Sequence, residues 1–368
     1  MKKIIIIINS MSSGGAERVT SILANELAFL GMDVTLATYK SISNDFYELN
    51  GSIHRLVLEN SLDQDINFFK KINEHIKLIR KIRNLCMDRS ETVVIGMMSH
   101  SAIHVALATI GKKNVKSIGS ERSYPPRMPL GKFWELIRKH SYRFLDELIV
   151  LSSEAMVWCY DNTYANRISI IANPVVYPIP YQAPIILTSK YINTCDKVIL
   201  TVGRMSEEKG HIGLIKSVES ILKKDNSWKL VIIGDGPDKK SVQKIVKELG
   251  LDEKVKLPGK VGNLHDWYSQ ADMFVLCSDF EGFPNTLVEA MSYGVASISF
   301  DCDTGPRDII ENNVNGILVE KDFDELKYYI NLLAMDKSLR NKLGNEAKKI
   351  KSKFSKECFI NKWMSKVR

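Results

Sequence analysis

Short stretches that are apolar at almost every position recur along the chain and alternate with amphipathic stretches. In the first half these stretches are Ile4–Asn9, DVTLATY from Asp33, ETVVIGMM from Glu91 and DELIVLS from Asp146. Runs of this length that are rich in Val and Ile predict buried β-strands. Because helical patterns separate them, such as the one from Ala16 to Leu30, they predict a parallel sheet covered on both faces.

A stretch rich in proline interrupts this alternation, with Pro174, Pro178, Pro180 and Pro184 in close succession. Proline continues neither a helix nor a central strand, so residues 174–190 are predicted to be a linker. A second series follows, with the predicted strands KVILTVGRM, KLVIIGDGPD, KVKLPG, DMFVLCSDF and ASISFDCDTG. The predicted fold class is α/β, with two doubly wound, Rossmann-like domains at residues 1–173 and 191–354. A basic helix predicted over residues 355–368 packs back on the first domain.

Charge and composition narrow the classes of partner. The 368 residues carry a formal net charge of +8, which favours nucleic acid, an anionic membrane surface or a phosphorylated metabolite as partner. No stretch approaches the roughly 18–20 apolar residues of a membrane-spanning helix. MKKIIIIINS lacks a small-residue cleavage site and indicates a strand rather than a signal peptide. The six cysteines form no CxxC pair, which argues against zinc and disulfides and favours a reducing cytoplasm.

Gly14 and Gly15 stand between a predicted strand and a predicted helix. Glycine there lets the backbone approach a ligand, and a helix N-terminus favours negative charge. The GxGxxG fingerprint is absent, and the second strand ends in Tyr39 and Lys40 without an acid for a ribose, which argues against a nicotinamide enzyme. The alternative is a tight turn with no ligand.

Two cations, Arg204 and Lys209, follow the first strand of the second series. Ligands of open α/β sheets bind at the carboxyl ends of strands, where these cations could neutralise a diphosphate. A solvated loop is the alternative.

Two carboxylates flank a Gly-Phe-Pro turn in EGFPNTLVEAMSYG. Glu281 is predicted in the loop after a strand, and Glu289 about two turns into the following helix, which ends at Gly294. The backbone amides of residues 283–287 would point outward at the helix start, ready for phosphate. Alternatively, Glu281 caps the helix and Glu289 is a solvated charge.

The motif EGFPNTLVE resembles the E-x7-E motif of the family 4 glycosyltransferases, which are retaining enzymes of the two-domain GT-B fold. The stretches GGAERV, VGRMSEEKG, IIGDGPD and EAMSYGVASISFDCDTGPRDIIENNVNGILV resemble that family in the same order, over nearly the whole chain. The resemblance implies two domains that face each other across a cleft, and transfer of a sugar from a nucleotide diphosphate without a metal or another cofactor.

The resemblance also implies roles for single residues. Arg204 and Lys209 would hold the donor diphosphate and act in catalysis. Glu281 would contact hydroxyls of the transferred sugar, and Glu289 would bind the ribose. His100 would lie near O6 of that sugar; a structural histidine, or a zinc pair with His104, are the alternatives. The other implied donor-binding residues are Gly14, Gly15, Pro258, Gly259, Lys260, Phe283, Asn285, Thr286 and Leu287.

No residue of the sequence is a clear nucleophile of the kind that retaining hydrolases use. The resemblance implies instead that the acceptor attacks on the face from which the diphosphate departs, and that the diphosphate helps to deprotonate it. The DCD stretch at Asp301–Asp303 looks like a metal-binding DxD motif but is interpreted as a turn.

An amphipathic helix predicted at residues 66–83 carries Phe69, Ile72, Ile76 and Ile79 on one face, with Lys and Arg over the remainder. This pattern is typical of a helix that lies in a membrane interface, although a surface helix packed on the sheet is the alternative. A second basic stretch with aromatic residues spans residues 120–144. Together they favour a lipid-linked glycan acceptor and a peripheral site on the inner face of the cytoplasmic membrane.

The sequence therefore predicts a retaining glycosyltransferase that uses a UDP-sugar. Uridine is the commonest base in the family, and CDTGPRDII looks most like members that transfer galactose, N-acetylgalactosamine or related hexoses. A nucleotide-sugar epimerase of the same fold is the alternative. A nucleic-acid-binding protein is more remote, because no nucleic-acid module or stacking aromatic cluster is present.

Overall fold

The computed structural model describes residues 2–12, 14–59, 67–86 and 91–368. Ser13 of the loop before Gly14, and residue 66 of the predicted amphipathic helix, lie outside these ranges. The chain divides into two compact units. One comprises Met1–Asn173 and Phe359–Arg368, and the other comprises Pro174–Cys358.

The described part of the first unit contains a seven-stranded sheet with the order β3-β2-β1-β4-β5-β6-β7, and every pairing is parallel. Its strands are β1 (Lys3–Ile8), β2 (Asp33–Thr38), β3 (His54–Val57), β4 (Thr92–Met97), β5 (Val115–Ser120), β6 (Glu147–Val150) and β7 (Ile168–Ile170). Its helices are α1 (Gly15–Phe29), α2 (Phe68–Leu85), α3 (Ser99–Ala108), α4 (Lys132–Ser141) and α5 (Ser153–Asn162).

The isoleucine run of β1 explains how this sheet is buried on both faces. Successive side chains of a strand point to opposite faces. Ile4 and Ile6 pack in one hydrophobic cluster with α1 and the C-terminal helix, while Ile5 and Ile7 pack in another with α2 and α3. A strand covered on both faces has no solvated face, so its sequence is apolar at nearly every position.

The second unit repeats the plan with a six-stranded parallel sheet of order β10-β9-β8-β11-β12-β13. Its strands are β8 (Lys197–Val202), β9 (Trp228–Ile233), β10 (Val255–Gly259), β11 (Met273–Leu276), β12 (Ala296–Phe300) and β13 (Ile317–Val319). Its helices are α6 (His211–Lys224), α7 (Lys239–Glu248), α8 (Leu264–Ser269), α9 (Asn285–Ser292), α10 (Pro306–Ile309), α11 (Phe323–Met335), α12 (Lys337–Ala347) and α13 (Ile350–Lys353). The last helix, α14 (Lys356–Val367), belongs from Phe359 onward to the first unit.

Each sheet has a position where the strand order reverses. In the first unit it lies between β1 and β4, and in the second between β8 and β11. Connections diverge there to opposite faces of the sheet, and the gap that they leave at the carboxyl ends of the strands is where doubly wound folds bind ligands.

The predicted α/β fold with two doubly wound domains is confirmed, and nine strands fall where the apolar runs predict them. The sequence reading missed β3, β5, β7 and β13. Strands β3, β7 and β13 are edge strands of three or four residues, and β5 (VKSIGS) carries Ser and Gly in place of a long apolar run.

In helix α2 the buried face differs from the apolar face predicted for residues 66–83. Phe69 and Ile76 of that face are 80% and 40% exposed, whereas Leu78, Ile82 and Cys86 are buried against the sheet. The helix therefore has two apolar stripes, and the core takes the one from Leu78 onward together with Ile79 of the predicted face.

A partly buried ion pair joins the C-terminal helix to the sheet of the first unit. Lys366 Nζ donates to the Glu147 carboxylate at 2.7 Å and to Ser169 Oγ at 2.8 Å. Burial by itself would raise the pKa of Glu147, but the hydrogen bonds from Lys366 and Ser169 outweigh it and hold that pKa below its usual range.

Candidate active site

Three side chains meet at the reversal point of the second sheet. Lys209 Nζ lies 2.6 Å from Glu281 Oε1, and Ser278 Oγ donates to the same oxygen at 2.7 Å. Lys209 follows β8 and the two others follow β11, so the sheet topology brings together residues about 70 positions apart. Glu281 makes these contacts and does not cap α9, where Pro284 holds the N-cap position without a side-chain cap.

Tight glycine contacts fix the backbone that carries Lys209. Gly210 has φ +67°, and a Cβ there would lie 2.4 Å from Cys277 O. Gly234 has φ +137°, and its Cβ would lie 1.9 Å from Gly203 O, in the residue before Arg204. No other residue type fits these two positions, so the loops after β8, β9 and β11 hold one another in place.

Glu289 is placed differently from the prediction. It is the fifth residue of α9, just past the first turn instead of two turns in, and it is 2% exposed. Tyr268 Oη donates to Glu289 Oε2 at 3.0 Å. A buried, hydrogen-bonded carboxylate in an eight-residue helix is not the solvated charge of the alternative interpretation.

The other predicted donor-binding residues of the second unit surround the same strand ends. Arg204 is exposed in the loop after β8. Phe283 and Leu287 are buried, and Asn285 and Thr286 are half-buried at the start of α9. Pro258 and Gly259 form the end of β10, and Lys260 follows them, exposed. In the DCD stretch after β12, Asp301 accepts a hydrogen bond from Arg307 Nε at 2.9 Å.

The predicted residues of the first unit lie at its own reversal point. Gly14 is the N-cap of α1 and Gly15 its first residue, directly after β1. His100 is the second residue of α3, directly after β4. A cavity of about 620 Å³ opens between these two helix starts, lined by Ile8, Asn9, Met98, Ser99 and His100 among others.

Burial makes His100 a neutral side chain at physiological pH. Its pKa is lowered from the usual range first by desolvation and then by the positive charge of Arg138. His104 is wholly buried and is hydrogen-bonded to Tyr39 and His75. Both ring nitrogens of His104 thus have protein partners, which argues against the zinc pair considered from its spacing with His100.

The sequence reading missed four polar residues of these sites: Tyr39, His75, Ser278 and Tyr268. Ser278 and Tyr268 contact the two predicted glutamates. Nothing in the sequence pattern marks a single Ser or Tyr in an apolar neighbourhood, so these contacts become visible only once the strands are paired.

Within the described ranges, no helix is long and apolar enough to cross a bilayer. No group of three or more His, Cys, Asp or Glu in the same ranges is arranged to hold a metal ion.

Comparisons with known proteins agree with this architecture. The family profile described as "Glycosyl transferases group 1" matches residues 185–350. The N-acetylgalactosamine-N,N'-diacetylbacillosaminyl-diphospho-undecaprenol 4-alpha-N-acetylgalactosaminyltransferase of Campylobacter jejuni is 30% identical over 369 residues, which are 97% of this chain and 96% of that protein.

Solved structures share the fold over the same length. Sucrose-phosphate synthase from Thermosynechococcus elongatus superposes with a TM-score of 0.82 at 18% identity, over 99% of this chain and 98% of that one. Anabaena HepE in complex with UDP superposes with a TM-score of 0.78 at 16% identity, over 99% of each chain. The profile and the full-length relative show that this chain belongs to the group 1 glycosyl transferases, the family 4 enzymes that its motifs resemble, and that it is a glycosyltransferase.

Proposed function

We propose that the protein transfers a hexose or N-acetylhexosamine, with retained anomeric configuration, from a UDP-sugar to a lipid-linked glycan. The cluster of Lys209, Glu281 and Ser278 at the reversal point of the second sheet is the observation that carries this proposal. It puts a cation for a diphosphate next to a carboxylate for sugar hydroxyls, and both are held by surrounding structure.

The donor diphosphate is assigned to the cations and amides of the second unit. Lys209 is half-buried and held in place by Glu281, and Arg204 is exposed in the same loop. The N-terminus of α9 adds backbone amides at Thr286 and Leu287 with the positive end of a helix dipole. These groups would stabilise the charge that develops on the departing diphosphate, with no metal ion required in the proposed reaction.

The two glutamates are assigned to the two sugars of the donor. Glu281 would accept hydrogen bonds from hydroxyls of the transferred sugar, in addition to its bond from Ser278. Glu289 would accept from the ribose hydroxyls, and the hydrogen bond from Tyr268 keeps its carboxylate oriented until a nucleotide binds.

In the proposed step, an acceptor oxygen approaches the anomeric carbon on the face that the diphosphate leaves. The bond from the anomeric carbon to the phosphate oxygen breaks as the new glycosidic bond forms. The proton of the acceptor hydroxyl passes to the departing phosphate oxygen. Gly14, Gly15 and His100 keep the roles that the family resemblance implies for them. All three follow strand ends at the reversal point of the first sheet.

The comparisons support the two substrates at the level of class. HepE was solved with UDP, and the Campylobacter jejuni relative is named for an acceptor joined through a diphosphate to undecaprenol. We therefore assign UDP as the nucleotide and a diphosphate-linked lipid as the acceptor anchor.

Calorimetric titration with UDP, GDP, ADP and NAD tests the donor site. We expect selective UDP binding, which Glu289→Gln should weaken about 10-fold or more through loss of a charge-assisted hydrogen bond. Tyr268→Phe is the control, because it removes the partner of Glu289 and leaves the carboxylate. Selective binding of GDP or ADP would mean that the donor carries guanosine or adenosine instead of uridine. Binding of NAD alone, or of no nucleotide, would overturn the proposal, and interconversion of UDP-sugars without acceptor would indicate an epimerase.

An exposed patch on the first unit is assigned to the membrane. It consists of Phe69 and Ile76 of α2 with Phe133 and Leu136 of α4, all more than a third exposed. The two helices are neighbours, since the His75 and Trp134 rings lie 4.3 Å apart. Exposed lysines flank the patch on both helices: Lys70, Lys71, Lys77 and Lys132. Apolar side chains ringed by cations suit the interface of an anionic bilayer.

The double variant Phe69→Ser, Ile76→Ser should bind phosphatidylglycerol-containing vesicles about 10-fold more weakly, from loss of the apolar surface that enters the bilayer. Vesicle co-sedimentation measures this. Phe29→Ser is the matched control, because Phe29 on α1 is also 80% exposed but lies outside the patch. Equal losses in both variants, or none in the double variant, would refute the assignment.

A further inference from the structure

A line of buried hydrogen bonds joins three elements of the first unit. Tyr39 follows β2, His104 lies on α3 and His75 lies on α2. Tyr39 Oη is 2.6 Å from His104 Nδ1, and His104 Nε2 is 2.8 Å from His75 Nδ1. None of these three residues has a role in the donor chemistry proposed above.

The direction of the protons in this line follows from the acidity of its groups. A phenol O–H is a stronger donor than a neutral imidazole N–H, so the proton of Tyr39 is directed to His104 Nδ1. The Tyr39 oxygen can then accept from Ser101, its other hydrogen-bond partner. A neutral His104 then carries its proton on Nε2 and donates to His75 Nδ1. A neutral His75 must therefore carry its own proton on Nε2.

Burial favours the neutral form of both imidazoles. The 2.8 Å contact between His75 and His104 also excludes a state in which both rings are charged, because two N–H donors would then face each other. Burial lowers the pKa of His75 to about 4, helped by His100 and opposed by Glu74, and lowers that of His104 further from its usual range.

The free end of this line faces the first-unit cavity. His75 lines the cavity of about 620 Å³, and Nε2 of its ring makes no hydrogen bond to any of the described residues. The ring packs between Trp134 at 4.3 Å and the nearly parallel ring of His100 at 6.0 Å. This part of the wall is aromatic, and no acceptor among the described residues takes the N–H of His75. Elsewhere the same cavity is lined by the charged side chains of Glu17, Lys71 and Arg127.

We propose that Ser101, Tyr39 and His104 form a relay that fixes His75 as an uncharged hydrogen-bond donor to an oxygen of a saccharide in this cavity. That saccharide is part of the acceptor glycan, so this assignment rests on the proposed function. An apolar pocket with a few fixed polar groups orients its ligand through those groups, and aromatic rings offer flat apolar surface to the C–H face of a sugar. A neutral donor suits a hydroxyl or an N-acetyl oxygen, which carry no charge. Tyr39 and His104 act through His75 and are positioning residues.

The tautomers of the relay are measurable without any ligand. The chain contains seven histidines, so long-range proton–nitrogen correlation spectra of protein with labelled histidine can be assigned with single variants. We expect His75 and His104 both neutral and protonated on Nε2 at neutral pH. Tyr39→Phe should turn this into a tautomer mixture, because His104 Nδ1 then loses its donor. A charged ring, or a proton on His75 Nδ1 in the unaltered protein, would overturn the relay.

Two variants of His75 distinguish the contribution of its Nε2–H donor from the contribution of its ring packing. Gln places an amide N–H near the position of Nε2, whereas Asn places its amide near Nδ1 and can still accept from His104. Titrations with methyl glycosides of galactose, glucose, N-acetylgalactosamine and N-acetylglucosamine should shift the His75 Nε2 resonance. We expect about three- to tenfold weaker binding in His75→Asn, the loss of one uncharged hydrogen bond, and retention in His75→Gln.

Calorimetric titration with UDP distinguishes this inference from the proposed function. UDP binding should be equal in the unaltered protein and in both His75 variants, since the groups assigned to the diphosphate and the ribose lie in the other unit. If UDP does not bind to the unaltered protein, the donor proposal fails while the glycoside result still decides the role of His75. No resonance shift with any glycoside, or equal glycoside binding in the Asn variant, would overturn the role given to His75.

Discussion

Glu281→Gln should lower kcat for sugar transfer about 100-fold or more, while UDP affinity stays within about threefold. Gln keeps the shape of Glu281 and can still accept a hydrogen bond from Ser278, so the loop should hold its structure. It loses the negative charge that orients Lys209 and the strong acceptor for sugar hydroxyls. Because UDP carries no transferred sugar, its affinity should report chiefly the diphosphate and ribose contacts.

Asp279→Asn is the matched control for this change. Asp279 stands two residues away in the same loop, but its carboxylate is exposed and paired with Lys321 at 2.8 Å. Exposed pairs of this kind contribute roughly 0–1 kcal/mol, so transfer should stay close to that of the unaltered enzyme. If Glu281→Gln transfers sugar at the original rate, the sugar-contacting role is wrong. If it loses UDP binding by more than an order of magnitude, Glu281 acts mainly by holding Lys209.

The fold could be predicted from sequence because its central strands have no solvated face. The runs at β1, β4 and β8 are apolar at nearly every position and are each followed by a helical pattern. Edge strands such as β3 lack this signature because one side of their backbone and much of their side-chain surface face solvent.

The candidate donor site was predictable for a related reason. Arg204, Lys209 and Glu281 stand within a few residues of the carboxyl ends of predicted strands, and parallel strands bring those ends to one edge. The sequence could not show that Lys209 and Glu281 pair with each other, because that contact depends on β8 and β11 being neighbours. Nor could it show that Glu289 is buried, since periodicity gives the face of a short helix but not how deeply that face is packed.

The sequence alone could not predict the histidine relay. His75 lies on a helix with two apolar stripes, and His104 lies on a helix that is apolar almost all round. In such surroundings a single histidine is usually structural. Only the packing of α2 on α3, with Tyr39 at the end of β2, turns three separate side chains into one hydrogen-bonded line.

Gly234→Ala should lower the free energy of unfolding of the second unit by about 3 kcal/mol or more. Its φ of +137° lies where side chains are strained, and the new Cβ would stand 1.9 Å from Gly203 O. Relief of this clash requires the loop after β8 to move. For a unit of this size, 3 kcal/mol corresponds to a fall in Tm of about 6–12 °C in scanning calorimetry. UDP affinity should fall as well, because Gly203 directly precedes Arg204.

Gly250→Ala separates the clash from the backbone strain. Gly250 has φ +65°, but a Cβ there would meet nothing within 4 Å, so only the strain of about 1–2 kcal/mol remains. It should lower Tm by a few degrees and leave UDP binding intact. If the two variants lose the same stability, the contact of Gly234 with Gly203 is not what fixes the loop. If Gly234→Ala loses stability but binds UDP normally, Arg204 contributes little to the diphosphate site and Lys209 must supply most of its charge.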